Sequence, residues 1–120
     1  MGRTEAQERG VEGENRATAF LQGLGYRILK RNFTYGKLEL DIVAMDGDEL
    51  VFVEVKTRKS DRFGQPEDAL NGSKQALLRR ASDAYLQICV KVLTKCRFDV
   101  IAIVENEGEW SIRHIKNAFT

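Results

Sequence analysis

Apolar residues recur along the chain at two different periods, and the changes between them mark out its elements. From Thr4 to Leu24, Ala17, Phe20, Leu21 and Leu24 fall at helical spacing. Glu and Gln crowd the early turns of this segment, where the positive end of a helix dipole favours them. Gly25 stands where such a helix would stop, and Tyr26 begins something new. Strand-like runs follow at 26–33 (YRILKRNF), 37–45 (KLELDIVAM) and 49–58 (ELVFVEVKTR). Strict alternation in the second puts Leu38, Leu40 and Ile42 on one face and Glu39, Asp41 and Val43 on the other. Asp46-Gly47-Asp48 signals a hairpin into the third. That third run is apolar on both faces at its start, as in a mid-sheet strand covered on both sides.

Residues 59–72 hold the only proline and read as a loop or short irregular helix. Ser73 is placed to cap a helix through Ile88, with Leu77, Leu78, Ala81, Ala84, Tyr85 and Ile88 as its apolar stripe. Strands at 97–105 and 110–115 close the chain, joined by the Asn106-Glu107-Gly108 turn. The order α-β-β-β-α-β-β predicts an α/β protein with a mixed sheet of about five strands and a helix on each face. Residues 1–120 read as one domain, without repeats or low-complexity tracts.

Composition narrows the class without naming a function. With 120 residues, 31% charged and 42% hydrophobic, the chain is neither disordered nor collagen-like nor a coiled coil. A formal net charge of +1 leaves room for a local basic surface only. Cys89 and Cys96 form no CxxC pair and His114 is the single histidine, which argues against zinc and for reduced thiols. Cys89, Cys96, Trp110 and His114 are assigned to packing or surface, since no orienting partner for the histidine is visible nearby. The first 24 residues carry Glu5, Glu8, Glu12 and Glu14 and no continuous apolar stretch. A signal peptide, a transit peptide and a membrane span are therefore not expected, and the cytoplasm is the expected location.

The chemistry concentrates between Glu39 and Lys56. Asp41 interrupts an apolar segment between Leu40 and Ile42, and thirteen residues later Glu54 and Lys56 interrupt Val51-Phe52-Val53-Glu54-Val55-Lys56. Period-two geometry sets Glu54 and Lys56 side by side, and the hairpin can bring Asp41 to the neighbouring strand. Ionised groups buried singly cost several kcal/mol each, roughly, so they need partners or a metal. An Asp–Glu pair converging from two strands offers hard oxygen ligands for magnesium or manganese. A lysine beside them can help deprotonate an attacking water or hold charge developing on a phosphoryl oxygen. Cross-strand salt bridges on a solvated face would account for the same spacing; the apolar, hairpin-linked strands weigh for a site.

Glu39-Leu40-Asp41-Ile42-Val43-Ala44 followed by Val51-Phe52-Val53-Glu54-Val55-Lys56-Thr57-Arg58 resembles the signature of the YraN family. The resemblance extends to Gly13-Glu14 with Ala17, Gly25-Tyr26 through Arg31-Asn32, Lys74-Gln75 and Arg97-Phe98-Asp99-Val100, nearly the whole chain. It implies a restriction-endonuclease-like, PD-(D/E)xK three-layer fold, similar to the archaeal-type Holliday-junction resolvases. It further implies Asp41 and Glu54 as metal-binding carboxylates, Lys56 as the catalytic lysine, and Glu14 as a helix glutamate completing the metal site. Glu39 also matches the family pattern, and alternation puts it on Asp41's face, where it could line the cleft or simply be a rim charge; Leu38 stands where the family usually has glycine. Resolvases of this fold work as dimers, so a homodimer is implied as well.

Arg58, Lys59 and Arg62 after the third strand, and Lys74, Arg79 and Arg80 on the second helix, could form a basic rim for phosphates. Arg79 and Arg80 serve equally well as surface solubilisers, and Phe63-Gly64-Gln65 could form a flap beside the site. No helix suited to major-groove reading is evident, so sequence-specific recognition is not expected. The expectation is a Mg2+- or Mn2+-dependent endonuclease-like domain acting on structured or branched nucleic acid, DNA ahead of RNA. The alternative is a non-catalytic nucleic-acid- or protein-binding module on the same fold.

Overall fold

A computed structural model describes residues 2–60, 70–90, 92 and 94–120. Helix α1 spans Glu5–Gly23 and starts in a capping box. The Thr4 hydroxyl accepts from Gln7 N at 3.1 Å while Thr4 N donates to Gln7 Oε1 at 2.8 Å. It ends where Gly25 takes φ 92°, a region costly for any side chain. That turn lets Gly25 N reach Gln22 O and Tyr26 N reach Leu21 O, so two of the final carbonyls are satisfied.

Strands β1 (Arg27–Tyr35), β2 (Leu38–Asp46) and β3 (Glu49–Arg58) form an antiparallel meander. Helix α2 (Gly72–Cys89) then crosses over to β4 (Lys95–Asn106), which runs parallel to β3, and β5 (Glu109–Phe119) returns antiparallel. The sheet order is β1-β2-β3-β4-β5, and the element order is the expected α-β-β-β-α-β-β of the restriction-endonuclease-like class. β3 lies mid-sheet, which is why its first half is apolar on both faces.

Each face carries its own core. Ala17 and Leu21 of α1 pack on Ile42, Val51, Val53, Ile101 and Ile103, whereas Leu78, Ala81 and Tyr85 of α2 pack on Phe33, Leu40, Val43 and Phe52. The result is three layers, helix on sheet on helix. No described helix is long and apolar enough to cross a membrane.

Three local expectations need correction. Asn71, not Ser73, caps α2, its side chain accepting Lys74 N at 3.0 Å. The buried stripe of α2 is turned toward Leu78, Ser82 and Tyr85, so Leu77 (45% exposed) and Ile88 (55%) lie at its edge. Ser82 is tolerated inside because its hydroxyl donates to Arg79 O. In β2 the alternation slips at Asp41: Leu40 belongs to the α2 core with Val43, and Ile42 to the α1 core.

His114 has a partner that its sequence neighbours do not reveal. Its Nε2 is 2.7 Å from Oδ2 of Asp99, a carboxylate with no solvent exposure. Asp99 also accepts from Arg97 Nε at 2.9 Å and from Asn117 N at 3.0 Å, where the β4–β5 register shifts. Arg97 continues to Asp46, Glu49 and the Tyr26 hydroxyl, tying the β2–β3 hairpin and the residue that precedes β1 to β4. Cys89 and Cys96 are free and exposed, and Trp110 packs against the α1 core beneath the Arg16 guanidinium.

Candidate active site

The site forms where β2 and β3 part. They pair from Asp46↔Glu49 as far as Ile42↔Val53 and no further. In that register the next pair would be Asp41 with Glu54. Instead Asp41 Oδ2 accepts the Val55 N–H at 2.8 Å, so a carboxylate satisfies the strand's donor. Opposite, Asn32 of β1 sits at φ 54°, an angle asparagine tolerates better than most residues.

Beyond the fork, β3 alternates. Glu54 and Lys56 follow Phe52 toward α2, and Val55 follows Val53 toward α1. Glu54 is only 6% exposed, and its Oε2 is wholly buried. Lys74 Nζ stands 3.1 Å and Lys56 Nζ 3.9 Å from that oxygen, yet it makes no hydrogen bond among the described residues. The two contacts are ion pairs with no hydrogen bond along their line. Burial, then Glu54, pushes the Asp41 carboxyl up to about 9, with Glu14 adding to the rise and the Val55 N–H opposing it. At neutral pH the Asp41–Glu54 pair therefore holds one proton.

Glu14 arrives from α1. Gly13 lets the helix press against Thr57 of β3, since a Cβ there would overlap the threonine hydroxyl. Glu14 and Asp41 thus line one groove of about 580 Å³, with Arg31, Lys56 and Arg58. Glu14 Oε1 accepts from Arg31 Nε at 3.3 Å and Nη2 at 3.2 Å, and Arg31 also donates to Asn15 Oδ1.

The sequence-derived candidates separate accordingly. Asp41, Glu54 and Lys56 come together at the fork, with Glu14 across the groove. Glu39 is exposed, opposite Thr34, and does not line the groove. Arg58 ends β3 at the groove wall and Lys59 follows it, both exposed. Arg62 and the Phe63-Gly64-Gln65 flap lie outside the described residues. Lys74 turns inward to Glu54, and Arg79 is occupied by Thr120 O at 2.8 Å and the Phe119 ring. Sequence reasoning missed Arg31 as the partner of Glu14. Nothing in the spacing marks it, because the contact joins two elements.

Asp41 and Glu54 suit a hard divalent cation in two respects. Both offer oxygen donors, and the buried Glu54 Oε2 receives no hydrogen bond among the described residues, leaving a lone pair that an ion could occupy. Glu14 is committed to Arg31 as the side chains stand. Among the described residues, no three Asp, Glu, His or Cys side chains converge as a ready metal cage.

A three-layer fold with a mixed five-stranded sheet and an Asp…Glu-x-Lys set at a strand fork defines a restriction-endonuclease-like protein. The family model described as "Uncharacterised protein family UPF0102" matches residues 13–103. The chain is 45% identical over 115 residues to a UPF0102 protein of Bacteroides thetaiotaomicron, covering 96% of this chain and 94% of the relative. Similar relatives occur in Syntrophomonas wolfei (43% over 113 residues; 94% and 98%) and Phocaeicola vulgatus (46% over 115; 96% and 94%). This chain therefore belongs to the UPF0102 family, the YraN-like family that its motifs resemble.

Proposed function

We propose that this protein is a Mg2+- or Mn2+-dependent endonuclease that binds structured or branched nucleic acid, DNA ahead of RNA, and cuts its phosphodiesters. The observation that carries this reading is the convergence of Asp41, Glu54 and Lys56 on the β2–β3 fork, with Asp41 and Lys56 lining an open groove and Glu54 buried beside them. Asp41 and Glu54 would hold the metal, with Glu14 across the groove reaching it directly or through water. Such an ion supplies charge for the phosphoryl oxygens and acidity for water. Lys56 orients the attacking water and faces the charge that develops on phosphate. Arg58 and Lys59 receive neighbouring phosphates as point contacts, giving affinity without sequence reading. A homodimer would offer one such site to each of two symmetry-related strands.

The test is cleavage of labelled four-way junction, flap, duplex and single-stranded DNA, and of RNA, with Mg2+ or Mn2+. Metal-dependent cutting by the parent, lost in Asp41→Asn and Lys56→Ala, is the expected result. Uncut substrates throughout, or variants as active as the parent, would sink the reading. A second reading, a binding module without catalysis, is favoured by one observation: Glu14 and Glu54 are already neutralised by Arg31 and Lys74. Binding of the same substrates without cutting would decide for it.

A further inference from the structure

Among the described residues Glu54 has two ammonium neighbours, and the nearer is not the lysine of its own motif. Lys74 Nζ lies 3.1 Å from Oε2, against 3.9 Å for Lys56. That oxygen is wholly buried and receives no hydrogen bond among the described residues, so adjacent positive charge is what makes its ionised form tolerable.

The two lysines are delivered differently. Lys56 belongs to the same strand as Glu54, whereas Lys74 comes from the first turn of α2, where Asn71 fixes its backbone. Its side chain is 34% exposed and so keeps a way out to solvent. Glu14 shows the contrast: Arg31 grips it through two N–H groups and is itself anchored to Asn15. That is a clamp. Lys74 holds Glu54 Oε2 by charge alone, which makes it a replaceable partner.

We propose that Lys74 is the resident counter-cation of Glu54 and is displaced when a divalent metal ion enters, its freed ammonium then facing a phosphodiester oxygen. In the exchange an ammonium would leave the Glu54 carboxylate and the proton of the Asp41–Glu54 pair would pass to solvent, a dication taking their place. Lys74 is thus a positioning residue that competes with the metal. This rests on the reading of Asp41 and Glu54 as metal ligands.

The experiment is calorimetric titration of Mn2+ into metal-free parent, Lys74→Met, Lys74→Gln, Lys74→Arg and Glu54→Gln proteins, with melting curves for each. Lys74→Met and Lys74→Gln are expected to melt lower without metal yet bind Mn2+ roughly fivefold more tightly. Lys74→Arg stays near the parent, and Glu54→Gln loses binding. A merely structural lysine would lower stability and metal affinity together. If the neutral variants bind Mn2+ no better than the parent, Lys74 does not compete and the proposal fails while the metal site stands. If parent and neutral variants alike fail to bind, the metal site falls and the proposal with it.

Discussion

Asp41 and Asp99 are both acidic residues inside β-strands, and their surroundings drive them in opposite directions. Burial and Glu54 raise the Asp41 carboxyl toward 9. The folded state thus keeps a proton that the unfolded chain releases near its ordinary value. Stability from this site is fully present below about pH 4 and declines as pH rises toward 9, by up to about 1.4 kcal/mol per pH unit. Asp41→Asn removes that slope, so its urea midpoint should exceed the parent's increasingly from pH 5 to pH 8. Equal pH dependence in the two proteins would contradict the shared proton. For Asp99, burial pushes the carboxyl up, but hydrogen bonds from His114, Arg97 and Asn117 N outweigh it and hold the group below the usual range. Its contribution is present above about pH 4 and lost as pH falls through the lowered value. Asp99→Asn should cost about 3–5 kcal/mol at pH 7, with the gap to the parent narrowing in acid denaturation. Spacing pointed to Asp41, Glu54 and Lys56 because charged residues stood out in apolar strands. It could not point to Asp99–His114, because those residues lie on separate strands and meet only through the β4–β5 pairing.

At the scale of elements, α1 is placed by what it lacks. Gly13 allows the helix against Thr57, and the next residue is Glu14. Gly13→Ala should destabilise the fold by about 1–3 kcal/mol through overpacking, and Gly13→Ala with Thr57→Ala should recover part of that loss. Chemical unfolding of the two variants and of Thr57→Ala measures the recovery. Additive losses would mean that the contact does not set the helix position. The limits of α1 were legible because the Glu and Gln of its early turns and Gly25 are local signals, whereas the Thr4 capping box emerged only in the structure. The inward side of α2 was less so: six apolar positions spread over a wider arc than the sheet covers, leaving Leu77 and Ile88 outside. The slip in β2 was invisible, since an alternation template has no way to register a strand fork.

For the whole molecule, two cores share one sheet. Every strand from β1 to β4 contributes to both clusters or to residues packed on them, so neither face can unfold alone without stripping the other. Trp110 reports the α1 face and Tyr85 the α2 face. Tryptophan fluorescence and near-ultraviolet circular dichroism should therefore give coincident urea transitions. Separate midpoints would show two independent halves.

The sequence by itself determined the element order, the five-stranded class, the central place of β3 and the Asp41–Glu54–Lys56 set. Each of these follows from period, local turn chemistry or charge within an apolar run, all properties of neighbours in the chain. Tertiary structure alone decided that β2 leaves β3 at Asp41, that Glu14 is held by Arg31, and that Lys74 stands nearer Glu54 than Lys56 does. These depend on distances between residues on different elements, which the packing of two helices on one sheet sets and no local pattern encodes.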